Sequence, residues 1–230
     1  MIVSLGFLMN FAIRRHNDKK VDKINVTIGN SDKVYFVTEK IIRKTIDGSS
    51  KNGKKAEEIK DLDIIKTEEN LDKNPFITWS NVYVDLDGNV NVDVVQKVPV
   101  VRVKTAKEEF YLDENGGKFP LSSEYSYPCL LAGGNVKPDE YRKLAYLAHN
   151  ISVDNLLKNH IIAIEKEKKN SYNLFLNLEG VYIEFGDLKN CRQKLTNLKE
   201  FYKQYLDKVG FEPYSKISVK YNNQIVATKR

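Results

Sequence analysis

The chain is poor in the residues on which most site chemistry is built. It has two cysteines, three histidines and one tryptophan among 230 residues. Cys129 sits in the apolar run Pro128-Cys129-Leu130-Leu131, and Cys191 lies near the start of an expected helix. Two isolated cysteines make neither a metal spacing nor a disulfide framework. They read as small buried hydrophobes, with a single bridge between them left open. His16, His149 and His160 are too scattered for a metal centre. No Gly-x-Ser-x-Gly, His-Glu-x-x-His or phosphate loop occurs. Gly133-Gly134 lacks a following lysine-serine step, and carboxylates such as Glu108 and Glu109 have no acid-base partner in view. The expectation is a protein that is no enzyme and uses no cofactor and no metal.

Strong charge of one sign is also missing. The net charge of +6 arises from 37 basic and 31 acidic residues, intermingled along the chain. Basic clusters such as Lys51 to Lys55 and Lys166 to Lys169 are flanked by Glu57 and Glu58 or by Glu165 and Glu167. That pattern is a solvated surface rather than a nucleic-acid stripe. Long apolar runs are absent as well. Met1 to Ile13 is apolar apart from Ser4 and Asn10, and basic residues follow from Arg14. Thirteen helical residues rise about 20 Å, short of a hydrocarbon core of roughly 30 Å. The segment reads as part of a membrane anchor, with a core or interfacial helix as the alternative.

The rest of the chain is well patterned. Ile24, Val26 and Ile28 alternate as in a half-buried strand. Thr38 can cap a helix that carries Ile41, Ile42 and Ile46 on one side, and Gly48 to Lys55 reads as a loop. A second helix is expected from Asp63, burying Ile64, Ile65 and Leu71 and stopping at Asn74-Pro75. A hairpin follows over Thr78 to Val103, turning at Asp85 to Asn89. Asp85, Asp87, Asn89, Asn91 and Asp93 suggest a calcium loop at first sight. Counted from Asp85, however, the sixth position is Val90 and the twelfth Gln96, where glycine and a carboxylate are needed. The alternating valines make this hairpin chemistry.

From about Thr105 a larger mixed module begins. A strand at Glu109 to Leu112 leads into the turn Asp113 to Gly117. Pro138-Asp139 opens a helix with Tyr141, Leu144, Ala145 and Ala148 on one side. A short helical piece near Val153 to Leu157 and strands at His160 to Ile164, Asn173 to Asn177 and Val181 to Phe185 come next. Leu188 to Leu206 is a long amphipathic helix that Gly210 can end. The chain closes with a strand over Lys216 to Tyr221, an Asn222-Asn223 turn and a last strand over Gln224 to Thr228.

Helix, Asn74-Pro75-Phe76, hairpin, Tyr111-Leu112-Asp113-Glu114-Asn115-Gly116, then Pro120-Leu121-Ser122 is an ordered set that resembles the FtsQ/DivIB family of bacterial cell-division proteins. The tail, with its long helix, Tyr214 to Tyr221 and Asn223-Gln224-Ile225-Val226, extends the likeness over about Lys23 to Arg230. The resemblance implies an α+β protein: a partial transmembrane anchor at 1–20, a POTRA-like β-α-α-β-β domain at 22–104 and an FtsQ-type β domain with helices on one face at 105–230. It also implies a single-pass inner-membrane protein with its bulk in the periplasm. Such a protein would act as a scaffold that binds FtsB/FtsL-type division proteins and no nucleic acid.

Sequence and resemblance meet at the last strand. A final strand after a tight turn can lie at a sheet margin, where unpaired amides and carbonyls take up another chain. Gln224, Val226 and Thr228 would share one face, Ile225 and Ala227 the other. With Tyr221 and Lys229 beside them, these seven are the candidate partner-binding residues. The alternative is a strand that only completes the core. Two other function classes stay open: a POTRA-bearing receptor in outer-membrane protein assembly or secretion, and a periplasmic enzyme or glycan-binding module in the second domain.

Overall fold

The computed structural model describes residues 6, 9–11, 18–51, 53, 56–167, 171–221 and 224–230. The chain divides into two units, Met1–Val98 and Pro99–Arg230. In the first, β1 (Ile24–Gly29) precedes helices α1 (Glu39–Ser49) and α2 (Ile64–Asp72), and β2 (Ile77–Val84) and β3 (Val90–Gln96) form a hairpin. Local chemistry starts both helices. The Thr38 hydroxyl accepts the Ile41 N–H at 3.4 Å, and the Asp63 carboxylate accepts the Lys66 N–H at 3.1 Å. The strand order is β1-β3-β2, so β3 is central, parallel to β1 and antiparallel to β2. Its inner valines, Val90, Val92 and Val94, are buried with Ile42, Ile46 and Leu71 of the helices.

Two expectations fail here. Ile65 is 71% exposed, because Thr67 and Leu71 set the buried face of α2. The hairpin ends at Gln96 rather than Val103, and its last residue turns inward. The Gln96 side chain accepts the Val37 N–H at 2.6 Å and donates to the Val34 carbonyl at 3.1 Å. This fastens the segment between β1 and α1, whose Val34, Phe36 and Val37 are buried.

The second unit takes the residues the hairpin gives up. It contains β4 (Pro99–Lys104), β5 (Glu109–Asp113), β6 (Lys118–Pro120), β7 (Leu130–Gly134), β8 (Ile161–Lys166), β9 (Tyr172–Leu176), β10 (Tyr182–Gly186), β11 (Tyr214–Ser218) and β12 (Val226–Lys229). They form one sheet in the order β12-β11-β10-β9-β8-β7-β4-β5-β6. Pro99–Lys104 pairs with β5 and β7, which moves it out of the first module, where the expected boundary at 104 had put it.

Helices α3 (Tyr141–Val153), α4 (Leu157–His160) and α5 (Cys191–Phe201) join these strands; α5 continues through a π-helical turn, Tyr202–Leu206, to Val209. Gly210, at φ 77°, ends it. His160 therefore closes a helix instead of opening a strand. The registers align Phe110, Val103, Ala132, Ile164, Leu174, Ile183, Ile217 and Ala227 in one row across the sheet. With Leu144, Ala148, Leu195 and Leu198 of the helices, this row is the spine of the core.

Among the described residues, no helix is long and apolar enough to cross a membrane. The expected anchor Met1 to Ile13 lies outside them except at Gly6, Met9, Asn10 and Phe11, as do the Asn222-Asn223 turn and part of the loop Gly48 to Lys55.

Candidate functional site

Two sheets offer four margins, and the side chains around them decide which can accept another strand. In β2 the Asp85 N–H donates to Asn89 O at the hairpin end. Alternation from there turns the backbone of Val82 outward. The Glu68 carboxylate of α2 occupies that amide at 2.8 Å. In β1 the Lys23 carbonyl accepts from Val90, so Ile24, Val26 and Ile28 face outward. Arg43 donates to the Ile24 carbonyl at 2.8 Å, leaving Val26 and Ile28 beyond it. β6 is three residues long and ends at Pro120, which has no N–H. Charge, a short strand and proline are the usual protections of an edge.

β12 is also short, four residues ending in Lys229, but it has no proline, and among the described residues no charged side chain bonds to its backbone. Val219 donates to Glu184 O, so the odd residues of β11 bond to β10, and Lys216 and Ser218 turn to β12. Val226 and Thr228 stand opposite them. The backbones of Ile225, Ala227 and Lys229 therefore point away from the sheet. Among the described residues, the only side chain seated on the β12 backbone is that of Ser215, the extra residue at a bulge in β11. It reaches the carbonyls of Thr228 and Lys229 at 3.3 and 3.4 Å.

The side chains of this margin alternate. Gln224, Val226, Thr228 and Lys229 are exposed, whereas Ile225 and Ala227 are half-buried and pack on the core. Tyr221, 46% exposed, lies past the end of β11 with the Lys220 ammonium 5.0 Å from its ring centre. Lys220 also donates to Glu184 at 2.8 Å, and Lys216 lies 3.7 Å from the same carboxylate. Burial opposes the charge of Glu184, but the Lys220 hydrogen bond and the two ammonium groups outweigh it and hold its carboxyl below the usual range. Arg230 pins the end of the chain, its N–H on Pro213 O at 3.0 Å and its guanidinium on Glu179 O at 2.9 Å.

The structure thus gathers Gln224 to Lys229 on one margin and sets Tyr221 beside it. Sequence reading missed Ser215, Glu184, Lys216 and Arg230: the β10–β11 pairing brings Glu184 to Lys216, a bulge in β11 aims Ser215 at β12, and Arg230 is placed by Pro213 and Glu179. It also missed a groove between the last helix and the margin, lined by Phe201, Tyr205, Gln204, Gln224 and Ile225. The spacing of Phe201 and Tyr205 was a signal, but one that served equally for a buried helix face.

Elsewhere the chemistry is structural. Hydrogen bonds from the Asn89 side chain and backbone hold the Asp85 carboxyl down to about 2, so the hairpin itself uses this carboxylate. Cys129 and Cys191 are both free thiols, and burial pushes that of Cys129 up to about 12. His160 lies between the Leu156 carbonyl at 2.8 Å and the Tyr202 hydroxyl at 3.0 Å. No group of metal-ligating side chains occurs among the described residues.

No curated protein matches the chain. Two family models do. The one described as a POTRA-like domain matches residues 19–95, and the one described as FtsQ/DivIB, C-terminal related, matches residues 98–228. The second match starts where the structure divides and runs through β12. It spans more than half of the residues, and the chain belongs to the FtsQ/DivIB family.

Proposed function

We propose that this protein is a non-enzymatic, single-pass scaffold of the bacterial cell-division complex that takes up FtsB/FtsL-type partners by adding a strand to β12. Family membership supplies the role in division. The observation that carries the mechanism is the outward backbone of β12, on which Ser215 alone is seated among the described residues, set against guarded margins at β2 and β6. A partner strand gains main-chain bonds from Ile225, Ala227 and Lys229, while Gln224, Val226 and Thr228 present the side chains that select it. The POTRA-like unit adds a second margin at Val26 and Ile28 of β1, suited to an upstream division protein, so that early and late components meet on one chain during septum formation. In this reading the N-terminal segment sits in the inner membrane and both units lie in the periplasm.

The test is capture of an FtsB/FtsL-type pair by the full chain and by its Ala227→Pro variant. Proline removes an outward N–H without touching the bonds to β11. A loss on the order of 2 kcal/mol in affinity is expected, about one bond together with the stranded acceptor across from it. Undiminished capture by the variant would refute strand addition at β12.

A further inference from the structure

The helix-free face of the three-stranded sheet carries an arrangement that strand addition does not use. Trp79 and Tyr83 on β2 are 51% and 45% exposed, two large rings left in solvent on one face. They share the outer face because Ser80 and Val82 point inward. Four residues of strand separate them by about 13 Å. Between them runs a polar row set by the registers: Asn81 on β2, Asp93 on β3 and Thr27 on β1. Among the described residues, no hydrogen bond engages these three side chains. Asn25 donates to Asn91 at 3.0 Å and closes the Tyr83 end with two further carboxamides. Gly29 lies across from Trp79 through Val95 and raises no side chain over that end. The nine outward positions of the three strands hold one carboxylate and no lysine or arginine.

We infer that this face is a binding site for a neutral chain of N-acetylated sugars. Flat aromatic rings standing out of a sheet stack on the C–H faces of pyranose rings. The half-covered Asn81 carboxamide and the exposed Thr27 hydroxyl between them are unengaged and suited to sugar hydroxyls, and a carboxamide, being donor and acceptor at once, complements an acetamido group. With Asp93 at the centre and no cation among these nine positions, phosphorylated and other polyanionic ligands are disfavoured, although Lys23 and Lys97 flank β1 and β3. An extended peptide would look for backbone partners, which the middle of a sheet face does not offer. The site is independent of β12, and its residues are contributed by the first unit alone.

Trp79 is the only tryptophan in the chain, so its emission reads the site directly. The experiment is a fluorescence titration of the full chain with chitotetraose. A saturable change with a blue shift is expected. Tyr83→Ala should weaken binding about tenfold, and Ile65→Ala, which trims an exposed apolar side chain on α2, should leave it within about twofold. Tyr83 is itself half exposed, so the variant keeps its fold, and its unliganded Trp79 emission verifies this. No saturable response in the parent chain overturns the inference, as does equal affinity in the Tyr83 variant. Saturation by a proline-rich peptide in place of chitotetraose also overturns it and assigns the aromatic pair to a protein partner.

Discussion

The Glu68 carboxylate of α2 accepts the N–H of Val82 from the rim of β2 at 2.8 Å, so a helix side chain closes a strand edge. One turn on, Asp72 accepts the Ser80 hydroxyl at 2.7 Å. Together they tie α2 along a margin that would otherwise offer amides to a second copy of the sheet. Glu68→Ala should cost about 1 kcal/mol in stability and introduce concentration-dependent association, visible by sedimentation velocity. Glu68→Gln keeps an acceptor oxygen and should remain monomeric. An alanine variant as monomeric and as stable as the parent would remove the guarding role.

Gly116 makes a second contact that sequence only half shows. The turn Asp113 to Gly117 is closed by the Asp113 carboxylate, which accepts the N–H groups of Asn115 and Gly117 at 2.9 and 2.8 Å. Gly116 sits at φ 81°, and a Cβ there would lie 2.6 Å from the backbone of Arg142 at the start of α3. Gly116→Ala meets strain and clash at once. A loss on the order of 2 kcal/mol is expected in urea denaturation, and a loss under half that would mean that α3 yields.

These cases separate what could be read from the chain. Thr38, Asp63 and the Asp85 to Asn89 hairpin act within a few residues, so their roles follow from local spacing. The alternation along β12 was equally legible, since a strand has a period of two wherever it lies. Parallel pairings were not, because β10 meets β11 only after the long helix between them, and β4 meets β7 only across the β5–β6 hairpin. Pro99–Lys104 is the clearest case: its valines suit either sheet, and only pairing with Leu130 to Gly133 decides between them. The guards Arg43 and Glu68 depend on helix docking and leave no mark in spacing. Ile65 shows the converse, an apolar side chain at a helix start that packing leaves in solvent.

A buried ionic cluster gives the second unit a pH dependence. Glu140 bonds to Lys166, to the Lys137 N–H at 2.9 Å and to the Tyr172 hydroxyl at 2.9 Å. Burial opposes its charge, but these bonds and the Lys166 ammonium prevail and hold its carboxyl below the ordinary 4.5. The unfolded chain therefore takes up this proton first as pH falls. The stabilisation is complete above the unfolded value and disappears as pH drops through the folded one. Glu140→Gln should cost about 3 kcal/mol near neutrality by leaving Lys166 buried beside a neutral group. The gap between parent and variant should narrow steadily below pH 4.5. A constant gap across that range in denaturation at several pH values would place the stabilisation elsewhere.

Adjacent positions on β12 should respond oppositely to proline. Val226 faces Ser218 and bonds into the sheet, whereas Ala227 turns its amide outward while its methyl closes the core row beside Ile217. Val226→Pro removes an internal bond and should detach the strand, lowering protection of β11 amides in hydrogen exchange by about tenfold or more. Ala227→Pro should leave that protection nearly unchanged and act on capture of the partner alone. A dissection of this kind is possible because an edge strand has two rims with separate duties, one holding the fold and one free for a visitor. If both variants lowered β11 protection equally, β12 would be fixed through both rims, and the margin would have nothing left to offer a partner.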